Sequence, residues 1–172
     1  GEIRPRQFGE LFAAVLEEAH TEAVVIGRHH AGDTAPLEDD DRRFAASVMD
    51  GEAEFLAGFI ADLEDDRYED EDGAFRLGAV EQRAVMYCSR LCGTANTVWG
   101  LALPPDTTLL YWVLGGTEIE HCSDCPSIQS RNPWRPDTIP THPGMNETQC
   151  MARCACRVQT ASGQGGFEIP GA

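Results

Sequence analysis

Between Gln7 and about Ala31 the apolar side chains Phe8, Leu11, Phe12, Val15, Leu16, Ala19, Ala23 and Val24 return at three- and four-residue steps. That period puts them on one face of a helix and leaves the other face wet. Gly32 and Pro36 supply the stop. The acidic run Glu38 to Asp41 then predicts a second helix start, because carboxylates cap free amides and suit the positive end of the helix dipole. Phe44 and Val48 line its first part, and Gly51 marks an expected break. Beyond it, Phe55, Leu56, Phe59, Ile60 and Leu63 form a strong amphipathic stripe running to about Glu64. "EDDRYEDEDG", ending at Gly73, reads as a solvated acidic linker.

A third long helix is expected from Leu77 to Trp99, carried by Val80, Ala84, Tyr87, Leu91 and Val98 and stopped before Pro104 and Pro105. The character then changes. "TTLLYWVLGG" is β-branched and aromatic and ends in a Gly-Gly turn, as a strand does. A stretch rich in Pro, Gly, Ser, Asn and Cys follows, and "CRVQT" reads as a short closing strand. The last residues, "ASGQGGFEIPGA", read as a loose tail. No internal repeat is visible. The expected architecture is mainly α: a body of three to four helices over residues 1–103, then a small β-containing, zinc-knuckle-like cysteine module over 104–160, then a flexible tail over 161–172.

A chain of 172 residues, 42% hydrophobic, is long enough to bury a core of its own. Its 29 acidic against 13 basic side chains give a formal net charge of -16, which argues against a broad phosphate-tracking surface and so against nucleic acid. Neither a membrane span nor a signal peptide is seen, so the expectation is a soluble chain, made inside the cell and without a membrane partner.

Seven cysteines are too many for incidental core thiols: Cys88, Cys92, Cys122, Cys125, Cys150, Cys154 and Cys156. In a reducing cytosol clustered thiols point to metal. Cys122 and Cys125, in Cys-x-x-Cys spacing, turn two sulfurs toward one point as in a zinc knuckle. Cys150, Cys154 and Cys156 offer a partner cluster. If Cys150 opens a helical turn, Cys154 shares its face and Cys156 follows in extended chain. Four sulfurs can then close a tetrahedron, with the fifth, His121 or His142 as a spare or substitute ligand. The intervening loop is poor in apolar residues, so a structural ion would supply much of its folding free energy. The reading therefore favours structural zinc over disulfides, which an oxidising setting would permit, and over unligated thiols.

Other chemistries rank below it. A thioredoxin-like redox pair would open a helix in an α/β context. A catalytic zinc would keep an open position near an acid or base, for which only Glu118, Glu120, His121 and Asp124 are at hand, and these read as turn residues. Cys88 and Cys92, four apart on a helix, read as small buried hydrophobes. Glu17 and His20 have the step of helical di-iron sites but no second copy on a helix, and read as a surface pair. The acidic run before Gly73 fails as a calcium loop, since Tyr68 and Ala79 stand at ligand positions. His29 and His30 suit the negative end of the first helix. No phosphate loop, nucleophile elbow or Ser-His-Asp arrangement stands out, and the chain does not read as an enzyme.

Read in order, "YWVLGGTEIEHCSDC", "NPWRPDTIPTHPGMNETQC" and "CMARCAC" resemble the phage head morphogenesis proteins of the Mu F-like minor head (minor capsid) family. The resembling block runs from about Arg83 to Val158. One departure is Ala155 between the last two cysteines, where the family usually carries Arg. The resemblance implies a low-copy structural protein of a tailed-phage head, working by contacts with the portal or the major capsid protein. It would reside in the virion, in the head interior or near the portal, after assembly in the host cytoplasm; self-association is left open. It also implies Cys122, Cys125, Cys154 and Cys156 as metal ligands with Cys150 or His121 adjacent, and no catalytic residue. The alternative is a metal- or thiol-dependent enzyme using Cys122 and Cys125; a third reading is a zinc-ribbon module for nucleic acid.

Overall fold

The computed structural model describes residues 4–116 and 120–168. Three helices of equal length form the body: α1 (Pro5–His30), α2 (Asp39–Glu64) and α3 (Leu77–Ala102). A short helix, α4 (Asp124–Gln129), and two strands, β1 (Leu110–Val113) and β2 (Arg157–Thr160), belong to the cysteine-bearing part. The chain is thus mainly α, a helical body followed by a small β-containing module.

Pro5 opens α1 where its missing N–H costs nothing, and Arg28, His29 and His30 sit in its last turn, where positive charge suits the dipole. The α2 start is a capping box between Glu38 and Asp41. Gly51 does not break α2. The buried positions Ala45, Val48, Glu52, Leu56 and Phe59 stay in helical phase across it, and their burial offsets the roughly 1 kcal/mol that an interior glycine costs. Glu52 is the residue that hides this continuity in the sequence, because a charged side chain occupies a core position.

That carboxylate is nearly fully buried and pairs with Arg90 of α3, whose guanidinium also donates to the Gly144 carbonyl at 3.4 Å. One buried cation therefore ties α2, α3 and the loop after β1 together. Glu52→Gln leaves Arg90 buried without its counter-charge, and a destabilisation of about 3 kcal/mol is expected by chemical denaturation. Arg90→Met combined with Glu52→Leu should recover most of that loss.

The central helix is α3. Its first half packs with α1 and α2 around Leu16, Leu56, Phe59 and Tyr87, where Phe12 meets the Tyr87 ring edge-on at 5.2 Å. In its second half, Gly93, Thr94, Asn96, Trp99 and Gly100 are all buried, because α1 covers one side and the module the other. Close approach requires glycine here. A Cβ on Gly93 would lie 2.5 Å from the Gly144 carbonyl, and one on Gly27 of α1 would lie 2.6 Å from the Ala95 carbonyl. Gly93→Ala should therefore cost about 1–3 kcal/mol, lowering Tm by several degrees. Gly58→Ala, on an exposed α2 position with open space around it, should instead raise stability by about 0.5–1 kcal/mol.

In the module β1 pairs antiparallel with β2, Trp112 opposite Val158. Leu110 and Trp112 point inward onto Trp99 and Leu103, while Tyr111 and Val113 face outward. Trp134 extends the sheet by reciprocal backbone bonds with Leu110 at 2.8 Å, and Gly165 bridges Gln159 on the far side. Residues 163–167, read from sequence as loose, are thus bound into the fold. The His30 ring contacts the Gly165 carbonyl at 2.7 Å, and the Asn96 amide donates to the Phe167 carbonyl at 3.0 Å and accepts its N–H.

Candidate metal centre

Five cysteines meet where the module lies against the base of α3. Cys125 stands in the first turn of α4, and Cys122 precedes it by one turn of chain. Cys150 caps a single 3-10 turn, Met151–Arg153, after which Cys154 begins extended chain and Cys156 leads into β2. The expected helical turn at Cys150 is therefore present, but tighter than an α-helix, with Met151 in the left-handed region at φ 51°. The two halves are held in register by Asp124, whose carboxylate accepts the Gln149 N–H at 2.8 Å. In the sequence Asp124 reads as an exposed turn residue; its role as a cross-link between the two cysteine clusters has no local signature.

The sulfurs fall into two groups that share one member. Cys122, Cys125 and Cys150 form a triangle with edges of 3.4–3.5 Å. Cys125, Cys154 and Cys156 form the second group, with Cys125 and Cys154 3.7 Å apart. Burial differs between them. Cys125, Cys154 and Cys156 are 0%, 0% and 3% exposed and belong to the core cluster of Trp99, Leu110 and Trp112, whereas Cys122 and Cys150 are only half-buried. The Thr148 hydroxyl lies 3.2 Å from the Cys150 sulfur, and His121 Nδ1 lies 3.8 Å from that of Cys156.

Such crowding decides how the thiols ionise. Hydrogen bonds to Cys154 and Cys156, together with burial, push the Cys125 thiol far up. Cys154 is lowered by its bond from Cys125 but raised on balance by Cys156 and burial. Cys156 is drawn below the usual thiol range by its closeness to the Cys125 and Cys154 thiols. Thiols this close oppose one another's ionisation, and a cation placed among them would let the set ionise together.

The donor set fits such a cation. Soft sulfurs at 3.4–3.7 Å approach the edge of about 3.8 Å that a tetrahedron with 2.3 Å metal–sulfur bonds requires. A disulfide joins sulfurs pairwise at about 2.05 Å, which these mutual contacts among three at a time do not resemble. The five cysteines can hold a metal ion.

The remaining residues singled out by sequence are elsewhere. His142 is buried against Gly100 of α3 and joins neither sulfur group. Glu118 lies outside the described residues, and Glu120 is exposed. Cys92 packs beside the core as expected, but Cys88 is exposed. His20 is not a surface residue: it is fully buried, its Nδ1 2.8 Å from the Thr94 hydroxyl. Among the described residues no helix is long and apolar enough to cross a membrane. Compared with known protein families, curated proteins and solved structures, the chain matches none.

Proposed function

We propose that the thiol cluster is a structural zinc centre and that the protein is a minor structural or assembly component of a tailed-phage head, acting through contacts with portal or capsid protein. The observation that carries the first half is burial. Cys125, Cys154 and Cys156 lie in the core beneath Trp112 and Trp99, so an ion held there joins the module to the helical body and is closed to substrate. Zinc suits an all-sulfur, redox-inert staple that must survive a reducing cytosol. The second half is supported by the order of the cysteine and aromatic motifs along the chain, and by three long helices that give an acidic protein extended partner-facing surfaces. In a lysate of infected cells fractionated by sedimentation, the protein should travel with proheads or with portal. Recovery solely at the top of the gradient, apart from both, overturns the head assignment while leaving the zinc reading to metal analysis.

A further inference from the structure

The sulfur geometry asks for more than one ion. A mononuclear tetrahedral site takes four ligands whose six mutual distances are all about 3.8 Å. The five sulfurs here do not all lie within 4.8 Å of one another; they separate into Cys122, Cys125, Cys150 and Cys125, Cys154, Cys156. Any four-sulfur set has to draw from both groups, and in each such set at least one pair is spread beyond 4.8 Å. Each group on its own, by contrast, is a compact face of three sulfurs. We propose that the module binds two thiophilic divalent ions of the zinc and cadmium class, with the Cys125 thiolate shared between them.

The inner ion is held by Cys125, Cys154 and Cys156; His121 Nδ1 lies 3.8 Å from the Cys156 sulfur but does not join the group of three. The outer ion is held by Cys122, Cys125 and Cys150 and keeps a position for water or an external soft ligand. Charge favours the pair. Four thiolates around one divalent ion leave two uncompensated negative charges in a site partly inside the core, whereas five around two ions leave one. The position of Cys125 is suited to sharing: it is fully buried between the groups and within 3.7 Å of Cys122, Cys150 and Cys154 alike. The two ions should differ in exchange, because Cys122 and Cys150 are half-buried while the inner sulfurs are closed over.

This inference rests on the metal reading above, and native mass spectrometry of the full chain loaded with zinc under reducing conditions tests the two separately. Two zinc ions per chain are expected, one lost quickly to a chelator and one retained until unfolding. Cys122→Ser combined with Cys150→Ser should carry one ion. In the wild-type chain loaded with cadmium-113, two NMR resonances split by coupling through the shared sulfur are expected, a readout that does not depend on any variant folding. One ion per chain, or two ions still bound by the double variant, overturns the shared pair and leaves a single structural ion standing. No bound ion overturns both.

Discussion

Cys125→Ser is expected to abolish binding of the proposed metal and unseat the whole module from α3. The side chain is fully buried, belongs to both sulfur groups, and contacts the cluster in which Trp99, Leu110, Trp112 and Val158 pack. A serine hydroxyl is a harder, less acidic donor than a thiol and replaces a ligand that both groups need. The loss therefore combines metal release with a polar group left inside a core, and should exceed about 4 kcal/mol, the range reached when a structural metal is lost. For a chain of this size that lowers Tm by more than about 10 °C. Near-ultraviolet circular dichroism should report it through Trp112 and Trp134, while the far-ultraviolet signal, dominated by α1, α2 and α3, changes less. Cys88→Ser, at an exposed position, serves as the reference and should be indistinguishable from the parent. Equal melting temperatures and equal metal content for Cys125→Ser and the parent would sink the assignment of these sulfurs as a structural centre.

How much of this could be read from the chain follows from where the signals are local. The helices α1 and α3 and the two halves of α2 announce themselves by period, because their apolar stripes are set by backbone geometry alone, and the strands by β-branched and aromatic composition. Gly51 misleads because a glycine's helix penalty is local, whereas what overrides it, Glu52 finding Arg90 across 38 positions, is tertiary. His20 is misread for the same reason: its polar letter signals a surface until Thr94 arrives from α3, 74 positions away. The cysteines are legible as a set from their spacing. Which sulfurs cluster together is not, since it depends on the Asp124 to Gln149 bond and on the 3-10 turn that swings Cys154 and Cys156 inward. The closing segment escapes for want of period; its order comes from His30, Asn96 and Gly165 meeting in three dimensions.

Acidification from pH 6.5 to pH 4 is expected to destabilise the fold steeply, through two histidines that have nowhere to put a second proton. Burial and the nearby Arg90 charge pull His20 down to about 4 from 6.5, and burial alone brings His142 to about 4. Among the described residues the Nε2 atoms of both have no hydrogen-bond partner. Above pH 6.5 the folded and unfolded states are both neutral at these sites, and stability is insensitive to them. Below it the unfolded chain takes up protons that the folded chain refuses until about pH 4, so stability falls with pH at about 1.4 kcal/mol per pH unit for each histidine. Over the window that amounts to about 3 kcal/mol each and about 6–7 kcal/mol for the pair. Thiolates released from a metal also take up protons in acid, but that contribution is common to the parent and to histidine variants. The difference between them therefore isolates the rings. Denaturant unfolding of the parent, His20→Gln and His142→Gln at pH 7 and pH 5 should show the stability lost between the two pH values shrinking by about 2 kcal/mol in each variant. Parallel pH profiles for all three proteins would show that neither ring is held neutral by its place against α3.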